Sequence, residues 1–150
     1  MRTSLLLAII VAACEKAHDT PPAPGSGSDA VVEGLLADMA AYGEKSLPIV
    51  VGFDGDCAKV ADRMLTLEPL AKSIRDRTDQ LEADPARHAA ARDRMKAMKA
   101  GVIARYEAVL RPLGKTLADV DAKQAEMKDK CADDPRFRDA EQRTGLKKRK

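Results

Sequence analysis

Between residues 29 and 143 the apolar residues recur at steps of three and four, the spacing that lays one stripe along an α-helix. Val31, Val32, Leu35, Leu36, Met39 and Ala40 form the first stripe, and Ser28 or Asp29 ahead of it can cap the helix by accepting from its unpaired first amides. Gly43 to Ser46 is expected to end this helix. Leu47, Pro48, Ile49, Val50 and Val51 would then be a packed connector, because so short an apolar run has no strand partner elsewhere in the chain. A second stripe, Cys57, Val60, Met64, Leu67, Ala71, Ile74, Thr78 and Leu81, alternates its steps as a heptad seam does, with Asp54 or Asp56 as its cap. Pro69 lies off the seam. Since the apolar phase continues past it, the pattern predicts a kink there rather than a break.

Asp84 followed by Pro85 is a helix start, with proline where its missing N–H costs nothing. His88, Ala91, Met95, Met98, Val102, Tyr106, Val109 and Leu113 continue as a third helix, which Pro112 and Gly114 interrupt. Thr116 with Asp119 has the form of a capping box opening a fourth helix along Leu117, Val120, Met127 and Cys131. Asp134 and Pro135 start a short terminal helix to about Arg143, and Gly145 releases a basic tail. The expected fold is all-α: a four-helix-bundle-like domain over residues 30–143 with a short extra C-terminal helix, followed by a tail over 144–150. The segments 67–76 and 110–119 resemble each other, but over so short a span in biased composition this reads as coincidence.

Composition supports helices and excludes little else. Charged residues make up 33% of the 150, aromatics 3%, and there is no Trp, which suits exposed helices around an aliphatic core and disfavours an all-β fold. One domain accounts for the length.

The front of the chain is different in kind. Met1, Arg2 and Thr3 precede an apolar run from Leu5 to Val11 that is too short to span a bilayer, and Val11, Ala12, Ala13 and Cys14 close it. This segment resembles the lipobox signal of bacterial lipoproteins: an aliphatic residue, two small ones, then the cysteine that is modified. The resemblance covers residues 1–14 only. It implies that residues 1–13 are cleaved, that Cys14 receives a diacylglyceryl thioether, and that the protein is lipid-anchored in the cell envelope, facing the periplasm or cell exterior. Residues 15–29, rich in Pro, Gly and Ser, read as a tether reaching on the order of 20 Å, and at most about 50 Å. Arg2 is the only charge in the leader, so the mature chain carries 25 basic against 24 acidic residues and net charge predicts no partner.

Two further cysteines remain, Cys57 and Cys131, and an exported protein with two thiols is expected to pair them. A straight second helix opposes this, because in an up-and-down bundle the two would lie at opposite ends, whereas a disulfide needs Cα atoms within about 7 Å. Either Pro69 is a true reversal, or the bridge joins two chains, or the thiols stay free and buried.

Candidate chemistry is sparse. His18 and His88 have no second ligand at zinc spacing. His88, Met95 and Met98 share a helix face and, with Met64, are the residues a copper or haem carrier would use, although Met at core spacing more often packs. A CxxCH haem motif, a phosphate loop, GxSxG and HExxH are all absent, and two histidines leave little from which to assemble a base-activated nucleophile, so no enzyme is expected and no cofactor. The third helix is basic (Arg87, Arg92, Arg94, Lys96, Lys99, Arg105, Arg111) and the first acidic (Asp29, Glu33, Asp38, Glu44). The two can pair across the bundle, with Arg92, Lys96 and Lys99 flanking the seam; alternatively that basic face, with Lys147 to Lys150, meets anionic headgroups or envelope polymers. Nucleic acid is not an expected partner of an exported chain so poor in aromatics. The sequence thus favours a membrane-tethered, non-catalytic module that binds an envelope protein or polymer, with a ligand or metal carrier as the alternative.

Overall fold

A helix that buries residues over a broad arc along its whole length must be packed by several others, and α1 is built that way. The computed structural model describes residues 29–146. Six α-helices run through them: α1 Ala30–Val51, α2 Cys57–Leu65, α3 Glu68–Glu82, α4 Pro85–Leu110, α5 Leu117–Cys131 and α6 Pro135–Thr144, with a 3₁₀ turn over Arg111–Leu113. No strand occurs among the described residues, and none of their helices is long and apolar enough to cross a membrane. The domain is an all-α bundle, as its periodicity indicates. The expectations for the leader, Cys14, the tether and the last four residues fall outside the described residues.

Asp29 caps α1 by accepting from the Val31 amide at 2.9 Å. The helix then runs for 22 residues, through Gly43 and through Pro48, and ends only at Gly52. The expected stop at Gly43 to Ser46 and the connector over 47–51 are therefore corrected: Leu47, Val50 and Val51 are the buried last turns of α1. Gly43 remains helical because its bare Cα receives the Tyr106 ring of α4; a Cβ there would lie 1.8 Å from the tyrosine oxygen. Pro48 is tolerated because it sits on the exposed side of the final turns, where the one backbone bond it removes faces outward.

The second correction concerns Pro69. The helix from Cys57 stops at Leu65, and Thr66 and Leu67 close a tight turn by donating from their amides to the carbonyls of Arg63 and Met64 at 3.2 and 2.8 Å. Glu68 begins α3 with Pro69 in its first turn, a position that needs no N–H. The five expected helices become six. The apolar seam survives the corner because Val60 faces one core, Ile74 and Leu81 face the next, and Leu67 is buried at the corner itself.

These cores lie along α1. One gathers Leu47, Val50, Phe53, Val60, Tyr106, Leu110, Val120, Met127, Cys131 and Phe137 around its C-terminal half. The other gathers Val32, Leu35, Leu36, Ile74, Leu81, Ala91 and Met95 around its N-terminal half. α4 lies parallel to α1, since ion pairs link Arg87 to Asp29, Arg94 to Glu33 and Arg105 to Glu44 in ascending order. On another side of α1, Asp38 accepts from Ser73 and Arg77 of α3 at 2.6 and 3.1 Å. The remaining joints follow the sequence signals: Asp84 caps α4, Gly114 ends the 3₁₀ turn at φ +64°, Thr116 and Asp119 form the capping box of α5, and Asp134 caps α6.

The Gly43–Tyr106 contact yields a test. Alanine favours helix over glycine by about 1 kcal/mol, yet Gly43→Ala is expected to destabilise the fold by about 2 kcal/mol because the buried ring has no room to retreat. Combining it with Tyr106→Leu in a double-mutant cycle, read by denaturant melts, is expected to show strong coupling between the two positions.

Candidate functional site

A long helix carrying six lysines and arginines on 26 residues cannot turn all of them toward one acidic neighbour. In α4 the 3.6-residue period sorts them into two rows on either side of the buried stripe Ala91, Met95, Tyr106 and Leu110. Arg87, Arg94 and Arg105 form the row beside α1, where carboxylates meet them: Asp29 at 2.8 Å, Glu33 at 2.8 Å and Glu44 at 2.6 Å. Arg92, Lys96 and Lys99 form the opposite row. Lys96 and Lys99 are exposed, Arg92 half-buried, and Lys96 approaches only Asp93 of its own helix, at 3.9 Å. The pairing of acidic α1 with basic α4 is thus real, and Arg87, Arg94 and Arg105 carry it. Ile103 follows Lys99 by one turn on this flank, half-buried and part of neither core.

The residues of a metal or haem carrier are not brought together. Met95 lies in the core at the N-terminal half of α1 with Met98 packed against it, whereas Met64 packs against the other core. His88 is half-buried on α4. Among the described residues no three His, Cys, Asp or Glu side chains cluster as ligands could. His18 lies outside the described residues.

Cys57 and Cys131 are bonded, with Cα atoms 5.5 Å apart. The corner before Pro69 makes this possible: once α2 is a separate helix it packs on α6, and its first residue meets the last residue of α5. Cys131 is fully buried and Cys57 half-buried, both against the core that holds Phe53 and Phe137.

Burial also sets the titration of the phenols. Desolvation raises the Tyr106 hydroxyl above its ordinary value, with the Glu44 carboxylate adding to it, and raises Tyr42 likewise. Neither is available as a base. Carboxylates move the other way: the Thr116 amide holds Asp119 below its usual range, and Lys123 and Lys130 do so for Glu126.

One feature escaped the periodicity, namely how the chain end is held. Tyr42 donates to the Thr144 carbonyl at 2.8 Å, and Arg75 donates to the carbonyls of Arg143 and Gly145 at 3.0 and 2.7 Å. Arg143 pairs with Glu68, and Leu146 packs against the core formed with α4. The described fold therefore extends to Leu146, past the expected boundary at residue 143. Comparison with protein-family models, with curated proteins and with solved structures finds no match.

The disulfide's surroundings predict its reactivity. An incoming thiolate can approach Cys57 more readily, but must then expel the buried Cys131 thiolate at the C-terminal end of a helix, where the macrodipole disfavours negative charge. Expelling the Cys57 thiolate, favoured at a helix N-terminus, requires attack on Cys131, which is closed to solvent. The folded protein is expected to resist a small-thiol reductant and to lose the bond only on unfolding. Replacing both residues by Ser should cost about 2–4 kcal/mol in denaturant melts.

Proposed function

We propose that this chain is a membrane-tethered, non-catalytic helical lipoprotein of the cell envelope that binds an anionic envelope component through the Arg92, Lys96 and Lys99 flank of α4. The observation carrying the proposal is the sorting of α4's cations. Acidic α1 neutralises one row, and on the other flank Lys96 and Lys99 are turned outward beside half-buried Arg92 and the half-buried aliphatic Ile103, the mixture of lysine and apolar surface that suits an anionic interface. The lipid on Cys14 supplies the address and the tether the reach; each exposed cation then adds about 1 kcal/mol near an anionic surface. The scarcity of bases and nucleophiles in the sequence supports a binding role over a catalytic one.

Vesicle sedimentation tests the flank apart from the anchor. The full chain with Cys14→Ser is expected to pellet with phosphatidylglycerol vesicles and not with phosphatidylcholine vesicles, and to be released by salt. Arg92→Glu with Lys99→Glu should weaken the interaction by about tenfold or more. Equal binding to both vesicles, or no effect of the double variant, contradicts the proposal.

A further inference from the structure

Opposite the buried stripe, α4 presents a face that no other helix of the described chain covers. Ala97, Ala100, Gly101, Ala104 and Ala108 share it, each three or four residues from another, all exposed, and an added Cβ at Gly101 would meet nothing within 4 Å. Charged residues bound this face at each end in a particular order. Asp93 precedes it and Arg111 follows it on the same line, while Lys96 and Glu107 edge it on one flank, all four exposed. Within one chain these partners cannot meet, since eleven helical residues separate Lys96 from Glu107 by about 16 Å.

We propose that α4 pairs with α4 of a second copy of this chain, antiparallel, about a two-fold axis passing close to residues 101 and 102. In that register Ala100 lies opposite the partner's Ala104. Lys96 then meets the partner's Glu107, and Asp93 the partner's Arg111, each pair made twice by symmetry. A parallel pairing would instead oppose Asp93 to Asp93 and put Lys96 and Glu107 on opposite sides of the seam, so the charge order selects the antiparallel arrangement. The small side chains let the two axes approach at or below the usual helix separation of roughly 8–10 Å, and Ile103 covers the partner's Ala100 from the flank. The complementarity specifies a copy of the same helix rather than another protein, because both halves of each charge pair are written on one face. An antiparallel two-fold also preserves flanks, so the Arg92 and Lys99 rows of both copies emerge on the same side of the dimer. There they act together on an anionic surface.

The full chain with Cys14→Ser, 16.2 kDa per chain, is expected to approach twice its monomer mass in sedimentation equilibrium. Lys96 is exposed, so Lys96→Glu keeps the fold; it should weaken the dimer on the order of tenfold or more by opposing like charges twice. Lys96→Glu combined with Glu107→Lys should restore it to within about threefold, because the swap rebuilds the same pair across the axis. A monomer at every concentration up to the solubility limit overturns the proposal, and so does a dimer indifferent to Lys96→Glu or one that the swap fails to rescue. These variants leave Arg92 and Lys99 in place and the readout is mass, so failure here is distinguishable from failure of the vesicle-binding proposal.

Discussion

The enclosure of α1 is the constraint from which the remaining architecture follows. Nine of its 22 residues are buried, spread from Val32 to Val51, and no single neighbour could cover them. α3, α4, α5 and α2 each take a share of its circumference, and the cores at its two halves are the spaces they enclose. Close approach is arranged twice by glycine: Gly43 admits the Tyr106 ring, and Gly34 lies beneath the Arg77 guanidinium, where a Cβ would fall within 2.5 Å of its carbon. The ion pairs that bracket α1 on both sides are partly exposed and contribute modestly to stability. They fix which helix lies where and in which direction.

At the far end of α1 the covering is different, because short helices do it. α2 has nine residues and α6 ten, lengths that are marginal in isolation. They hold each other, and the Cys57–Cys131 bond fastens their side of the molecule to α5. Three of the four aromatic residues, Phe53, Tyr106 and Phe137, pack in this core, where loops and helix ends would otherwise leave irregular gaps. At the other end no covalent tie is present among the described residues, and the long helices α1 and α4 with Leu81, Met95 and Leu146 do the closing.

Sequence periodicity recovered the joints that local chemistry dictates. Asp29, Asp84, Thr116 with Asp119, and Asp134 cap the helices that the pattern places after them, because an N-cap acts within three residues of itself. It misplaced the two positions where tertiary packing decides. Gly43 looked like a terminator until a ring from a residue 63 positions later filled its notch, and Pro69 looked like a kink because a corner in phase with the seam leaves the hydrophobic pattern unchanged. The cysteine pairing carried information that the seam did not: bonding Cys57 to Cys131 required the reversal that the heptad spacing concealed. At the candidate site the opposite charges of α1 and α4 were legible, but which cations face α1 depends on the rotation of α4 about its own axis. The anchoring of the chain end by Tyr42 and Arg75 had no local signature, since both act over more than 65 residues.

In the binding role proposed for this scaffold, the outer surfaces do the work. The buried face of α4 and its α1-facing arginines are committed to the fold, leaving its opposite flank and back to meet other molecules. Whether α1 is the continuous, enclosed axis of the domain is most directly measured by amide hydrogen exchange in the folded protein. The account predicts that amides from Leu35 through Val50 exchange slowest, at a common rate set by global unfolding and with no interruption at Gly43 to Ser46. Fast exchange from Gly43 onward, or protection in α1 no greater than in α6, would contradict it.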